Sequence, residues 1–179
     1  MLFSDAGKVI RFGEDAVRAM GRTARGVRGM KLPDNAKVIQ MLVAEEDCSI
    51  LTATENGYGK RTAVEDHPLR GRGGQGVISI QMSERNGEVV SAVPVIEGDE
   101  VMLISKGGTL IRTGVDDIRI MGRNTQGVRL IRLDDKETLV GLQRIVELDV
   151  DDDELEDGAE EVTEETTSDS EDKDDSIED

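Results

Sequence analysis

Apolar and polar positions alternate with period two in three short stretches of this chain, set among short apolar runs. The alternation falls at 27–32, 77–82 and 128–133. In each stretch the fourth position is Met30, Ile80 or Ile131 and the sixth is Leu32, Met82 or Leu133, while Lys31, Gln81 or Arg132 stands between them. One buried face and one wet face is the signature of a half-buried β-strand. Turn chemistry follows each stretch, at Pro33-Asp34-Asn35, Glu84-Arg85-Asn86-Gly87 and Asp134-Asp135-Lys136. Apolar runs at 38–43, 89–96 and 139–146, at 50–51 and 101–104, and at 9–12, 59–62 and 110–113 supply the other strand candidates. No segment sustains the 3.6-residue period of a long helix.

These runs recur. Gly-Arg-x-x-x-Gly-Val occupies 21–27, 71–77 and 122–128, at offsets of 50 and 51 residues. Residues 4–11 align in the same register with 54–61 and 105–112, and acidic pairs follow at Glu14-Asp15, Glu65-Asp66 and Asp116-Asp117. Four short strands per fifty residues describe a blade of a propeller-like array. The expected fold is therefore all-β: blades of four antiparallel strands at 1–47, 48–99 and 100–148, then a tail at 149–179. Three blades do not close a ring, and a blade buries its faces only against neighbours. The opening Met1-Leu2-Phe3 aligns with the strand interiors 51–53 and 102–104. The first blade is thus expected to be truncated at its start, and the chain to be the C-terminal part of a longer repeat protein.

Charge sharpens the division. The 179 residues carry 22 bases and 39 acids, a net of −17. Residues 149–179 hold 18 acids and one base, while 1–148 hold 21 of each. The tail has too few apolar groups to offset chain entropy and is expected to be disordered. Its Asp149, Asp151 and Asp153 do not make a calcium loop, because Glu154 stands where the turn glycine belongs. With no Trp, one Tyr and two Phe, the core must rest on Val, Ile, Leu and Met. One Cys and one His exclude a disulfide framework, a structural zinc cluster and a multi-histidine metal site. No apolar run approaches the ~20 residues of a membrane helix, and the first residues do not form a signal peptide, so a reducing cytoplasm is expected. His67 aligns with Val17 and Ile118 and reads as a packing substitute; Cys48 reads as a small apolar filler. Tyr58, in a glycine-rich turn, aligns with Lys8 and Thr109 and reads as a turn residue rather than a nucleophile. No constellation of carboxylate, Cys or His groups clusters as catalysis needs, so no catalytic residue, metal ligand or cofactor site is expected in this chain.

Within each repeat the charge also alternates. Residues 6–32 hold seven bases and two acids and supply Lys8, Arg11, Arg22, Arg25, Arg28 and Lys31. Residues 57–82 hold four and two and supply Lys60, Arg61, Arg70 and Arg72. Residues 106–133 hold six and two and supply Arg112, Arg123, Arg129 and Arg132. The stretches between, 33–56 and 83–105, are each −4. Radially arranged blades would put equivalent loops on one rim, giving a curved cationic track for the phosphates of double-stranded DNA, with little base reading. Deformability of the wrapped duplex would add to the binding. Two other readings stand beside it. The recurring Arg22, Arg72 and Arg123 could instead pair with the acidic doublets of the same or next blade, and the array could bind protein rather than nucleic acid.

The Gly-Arg-x-x-x-Gly-Val repeat, the phrase Arg70-Gly71-Arg72-Gly73-Gly74-Gln75-Gly76, the stretch Ile104-Ser105-Lys106-Gly107-Gly108-Thr109-Leu110-Ile111-Arg112-Thr113 and the closing Gln143-Arg144-Ile145-Val146 before an acidic tail resemble the C-terminal domain of DNA gyrase A subunits. The resemblance covers residues 1–148, and the related topoisomerase IV C-subunit domain is the alternative. It implies a six-bladed β-pinwheel that wraps DNA, of which this chain holds about three blades, with an acidic tail that modulates wrapping. It also implies a parent topoisomerase that introduces negative supercoils. Its cleaving tyrosine, its contacts with the B subunit or with a second A subunit, and the ATP and Mg it uses all lie elsewhere. A bacterial, cytoplasmic, nucleoid-associated location follows from the same likeness. The family's wrapping box, Gln-Arg-Arg-Gly-Gly-Lys-Gly, belongs to its first blade; residues 70–76 echo it with Arg70 for Gln, Gly71 for Arg and Gln75 for Lys.

Overall fold

Each repeat opens on a hairpin whose turn is written in four residues. Ser4, Thr54 and Ser105 precede it, and Gly7, Gly57 and Gly108 close it at φ of 70°, 77° and 89°, a region open to glycine at little cost. The hydroxyl ties the turn shut: the N–H of Lys8 donates to Ser4 Oγ, that of Thr109 donates to Ser105 Oγ, and Thr54 Oγ1 donates to the Tyr58 carbonyl. The computed structural model describes residues 1–134 and 136–146. The tail expected at 149–179 lies outside the described residues.

Eleven strands are present among them: β1 (Leu2–Ser4), β2 (Lys8–Ile10), β3 (Val38–Met41), β4 (Ser49–Thr54), β5 (Tyr58–Ala63), β6 (Val77–Ile78), β7 (Val89–Val95), β8 (Glu100–Ser105), β9 (Leu110–Gly114), β10 (Val128–Arg129) and β11 (Leu139–Ile145). One-turn 3-10 helices at Glu14–Ala16, Val64–Asp66 and Val115–Asp117 carry the acidic doublets. The strands form three antiparallel sheets, ordered β3-β1-β2-β6, β10-β5-β4-β7 and β11-β8-β9.

The sheets do not respect the sequence repeats. The strand that closes the first sheet, β6, comes from the second repeat, and β10 of the third repeat closes the second sheet. The segments 1–47 and 48–99 are therefore each completed by their successor. The six-residue strands expected at 77–82 and 128–133 are only two residues long, and 27–32 is in no strand. The reason is local. After two ladder pairs the chain bends, and the N–H groups of Ser79 and Ile80 turn to the Gly7 carbonyl, as those of Leu130 and Ile131 turn to Gly57. The period-two burial survives: Met30, Ile80 and Ile131 are buried, and Lys31, Gln81 and Arg132 are exposed. The third sheet has three strands among the described residues, not four.

Apolar side chains fill the spaces between sheets. Phe3, Val9, Ile50, Val64 and Ala92 join the first and second. Leu51, Val93, Val101, Leu103, Ile131 and Leu139 join the second and third. Along one edge β7 packs against both β3 and β11, and Ser91 Oγ donates to the Leu142 carbonyl at 3.4 Å. The sheets converge there, so β6 and β10 occupy the outer edge.

Candidate nucleic-acid interface

The basic residues divide into an inner and an outer group. Arg11 and Arg61 occupy equivalent places on successive hairpins. Arg11 Nη1 donates to the carbonyls of Val64 (3.1 Å) and His67 (3.3 Å). Arg61 Nε donates to the Ile118 carbonyl at 2.7 Å, and its Nη1 lies 3.8 Å from Asp116. Below them the next repeat is laced in, since Arg70 N–H donates to the Arg11 carbonyl and Met121 N–H to that of Arg61. These arginines tie the first and second sheets to the 3-10 turn of the next repeat.

Lys60 is 0% exposed. Its ammonium donates to the Gly122 carbonyl (2.7 Å), to Thr125 Oγ1 (3.2 Å) and to the Arg123 carbonyl. Burial, aided by the nearby Arg123 charge, lowers its pKa to about 8. Lys60 and Arg61 thus depart from the expected surface track. Their strand, β5, is buried on both faces, so alternation along it leads from one packed sheet to another and never to water.

Arg72 and Arg123 grip the preceding repeat through carbonyls rather than acidic doublets. Arg72 Nε donates to Ala16 and Nη1 to Arg28; Arg123 Nη1 donates to Ile78, the position equivalent to Arg28. Arg72 remains exposed, while Arg123 is half-buried. Arg112 is exposed and donates from Nε to Glu100 at 2.7 Å within its own sheet. Arg129, on β10, donates to the Tyr58 hydroxyl at 2.9 Å.

The remaining candidates face water. Arg22, Arg25, Arg28, Lys31, Arg70 and Arg132 are exposed. Half-buried Lys8 shares a shallow groove with Lys31, Asp34 and Gln75. Three segments, 17–33, 67–83 and 118–133, contain eleven bases and no acid. They are joined edge to edge. Lys31 N–H donates to Gly74 (2.8 Å), Gly73 N–H to Gly29 (2.6 Å), and Gln81 N–H to Thr125 (2.9 Å). A continuous basic band therefore follows the outer edge. Sequence reasoning passed over Arg18 and Arg119, exposed and equivalent, because Pro68 interrupts their series in the middle copy. It also passed over Arg85, which sits in an acidic stretch.

The chemistry elsewhere is spare. His67 is buried, and Cys48 is buried with its thiol donating to the Glu45 carbonyl; burial pushes that thiol's pKa up. Among the described residues no cluster of three or more His, Cys, Asp or Glu side chains could hold a metal ion. No helix among them is long and apolar enough to cross a membrane.

Radially packed antiparallel sheets, the first two each completed to four strands by a strand from the next repeat, define a protein of the β-propeller class. The family model described as "DNA gyrase C-terminal domain, beta-propeller" matches residues 1–45, 49–96 and 99–145, and the chain belongs to that family. It is 58% identical over 155 residues to the DNA gyrase A subunit of Salmonella typhimurium, covering 87% of this chain and 18% of the relative. The same protein of Chlamydia pneumoniae is 44% identical over 94% of this chain and 20% of its own length. The chain thus spans about a fifth of the curated relatives it matches. Among solved structures, a DNA gyrase A C-terminal domain superposes with a TM-score of 0.75 at 31% identity, over 81% of this chain and 50% of that one. A topoisomerase IV C-terminal domain superposes equally well, at 0.75, but at 23% identity shares the fold alone.

Proposed function

We propose that this chain is the DNA-binding and DNA-wrapping segment of a gyrase A subunit. The observation that carries the reading is the acid-free basic band, bonded edge to edge along the outer rim. Lysine and arginine without interleaved acids attract the phosphate backbone regardless of sequence, and a convex band favours a bent duplex. In the parent enzyme, wrapping would present a neighbouring segment for strand passage with fixed handedness. Cleavage, ATP hydrolysis with Mg and contacts with a second A subunit or with the B subunit would belong to other regions or chains; this segment would need no cofactor. Its setting would be the bacterial cytoplasm, on the nucleoid. The acidic tail, 149–179, would compete with DNA for the band.

The test is a salt titration of duplex binding by the full chain. Log affinity is expected to fall linearly with log salt, by about 0.9 per phosphate neutralised. A chain carrying Arg22→Ala, Arg25→Ala and Arg28→Ala is expected to show a shallower slope. Binding that ignores salt, or no binding by folded protein, would refute the reading.

A further inference from the structure

Tyr58 is the chain's one tyrosine. It begins β5 at 7% exposure, and two guanidinium groups converge on it. Arg129, directly across the ladder on β10, donates from Nη2 to the phenol oxygen at 2.9 Å, and its guanidinium carbon lies 5.4 Å from the ring centroid. The guanidinium carbon of Arg85 lies over the same ring at 4.6 Å. Arg85 arrives from another direction, on the turn at 84–87. That turn is held by two asparagines. Asn56 Nδ2 donates to the carbonyls of Glu84 and Arg85, each at 3.2 Å. Asn86 is 0% exposed; its Oδ1 accepts from Ser83 N–H and Oγ, and its Nδ2 donates to Gln81 and, in the next repeat, Gln126.

Two repeats thus hold two like charges on one ring. Arg85 and Arg129 are both exposed, and neither has a carboxylate partner among the described residues. Cation–π contact and the phenol oxygen offset part of their repulsion, but an anion bridging them would relieve the rest. The ring is too enclosed to stack on a base. What remains outward is guanidinium N–H, a match for phosphate oxygens. The cluster is single in the described residues: the first sheet carries Lys8 and Ile78 in the places of Tyr58 and Arg129.

We infer that Arg85, Tyr58 and Arg129 form a preorganised phosphodiester site on the outer edge, where the duplex is gripped by a turn outside the Gly-Arg-x-x-x-Gly-Val band. This rests on the DNA-binding reading and adds to it residues in a stretch whose net charge is acidic. Tyr58 orients the two forks; the arginines make the contact.

The sole tyrosine is its own reporter. Full-length chain carrying ring-labelled tyrosine would be titrated with duplex DNA and, separately, with inorganic phosphate. The single ring resonance is expected to shift in step with DNA binding. Arg85→Ala is expected to weaken binding several-fold on any sequence and to reduce the salt slope by about one. Tyr58→Phe, which keeps both charges but removes the acceptor, is expected to give a smaller loss. Arg85 lies outside every ladder, so its variant decides the matter even if Arg129→Ala fails to fold. A ring signal unmoved by DNA that the chain does bind, with Arg85→Ala at wild-type affinity and slope, would overturn the site and leave the band standing. No salt-dependent DNA binding at all would overturn both. A signal that answers to phosphate but not to DNA would make this a free-anion site and overturn the assignment to duplex.

Discussion

His67 is enclosed against Phe3, with ring centroids 6.3 Å apart; its Nδ1 donates to the Ala63 carbonyl at 3.1 Å, and its Nε2 is buried without a partner. Burial holds its pKa down to about 4, against a partial rise from the Ala63 bond. An unfolded chain takes up this proton near pH 6.5, whereas the folded one resists to about pH 4. Stability is therefore lost as pH falls through that window, by roughly 3 kcal/mol in full. His67→Val, borrowing the residue of the first repeat, should lose less stability than the parent between about pH 7 and about pH 4.5, as read by denaturant melts. Equal losses would show that the ring titrates freely. Asn86 bears on a different balance. Its side chain is buried and makes four partly buried bonds, and Asn86→Ala strands the carbonyls and N–H it serves, so a loss of roughly 2–3 kcal/mol in midpoint stability is expected.

The exchanged strands set the character of the elements. β6 and β10 are two residues each, too short to hold by ladder bonds alone. What seats them is close approach. Gly127 has φ of 79°, and a Cβ there would stand 2.5 Å from the Gly59 carbonyl. Gly76 is equivalent: a Cβ there would run into the Val9 carbonyl. Gly127→Ala combines backbone strain with a clash against backbone, so it should cost at least about 2 kcal/mol and release β10. Amide exchange at Leu130, whose N–H donates to the Gly57 carbonyl at 2.8 Å just past β10, would read the release directly; unchanged protection would show that the hairpin edge can yield. Arg61 couples sheets by a different means. Arg61→Met leaves the Ile118 carbonyl without its charged donor, and roughly 2–3 kcal/mol should be lost in the same melts.

For the whole molecule, the three recurring arginines are not interchangeable. Arg22 is exposed, whereas Arg72 and Arg123 are bonded to carbonyls of the preceding repeat. Arg22→Ala should weaken duplex binding with an unchanged melting transition, while Arg123→Ala should lower the transition as well; identical behaviour of the two would break this division. The charge balance leads to a second expectation. Residues 1–148 are neutral overall, so removing 149–179 takes away the whole net charge of −17. The shortened chain should bind DNA more tightly at low salt, with the gain fading as salt rises. Equal affinities with and without the tail would show that it does not compete.

Repetition of Gly-Arg-x-x-x-Gly-Val at a fixed offset, together with the period-two stretches and the turn residues after them, was enough, in sequence, to specify the all-β class, the blade-like repeat and the basic stretches. Those features are local, since a turn glycine and a period-two pattern act within a few residues. Which repeat each outer strand joins was decided by tertiary structure, because β6 and β10 find their partners some seventy residues away. The same is true of the sorting of arginines. Arg61 and Arg22 are alike in composition, but one lies between two packed sheets and the other on the rim, and only packing distinguishes them. The Arg85–Tyr58–Arg129 cluster belongs to this second kind. Its members lie in a turn, a strand start and the next repeat's crossing strand, and no spacing along the chain announces their meeting.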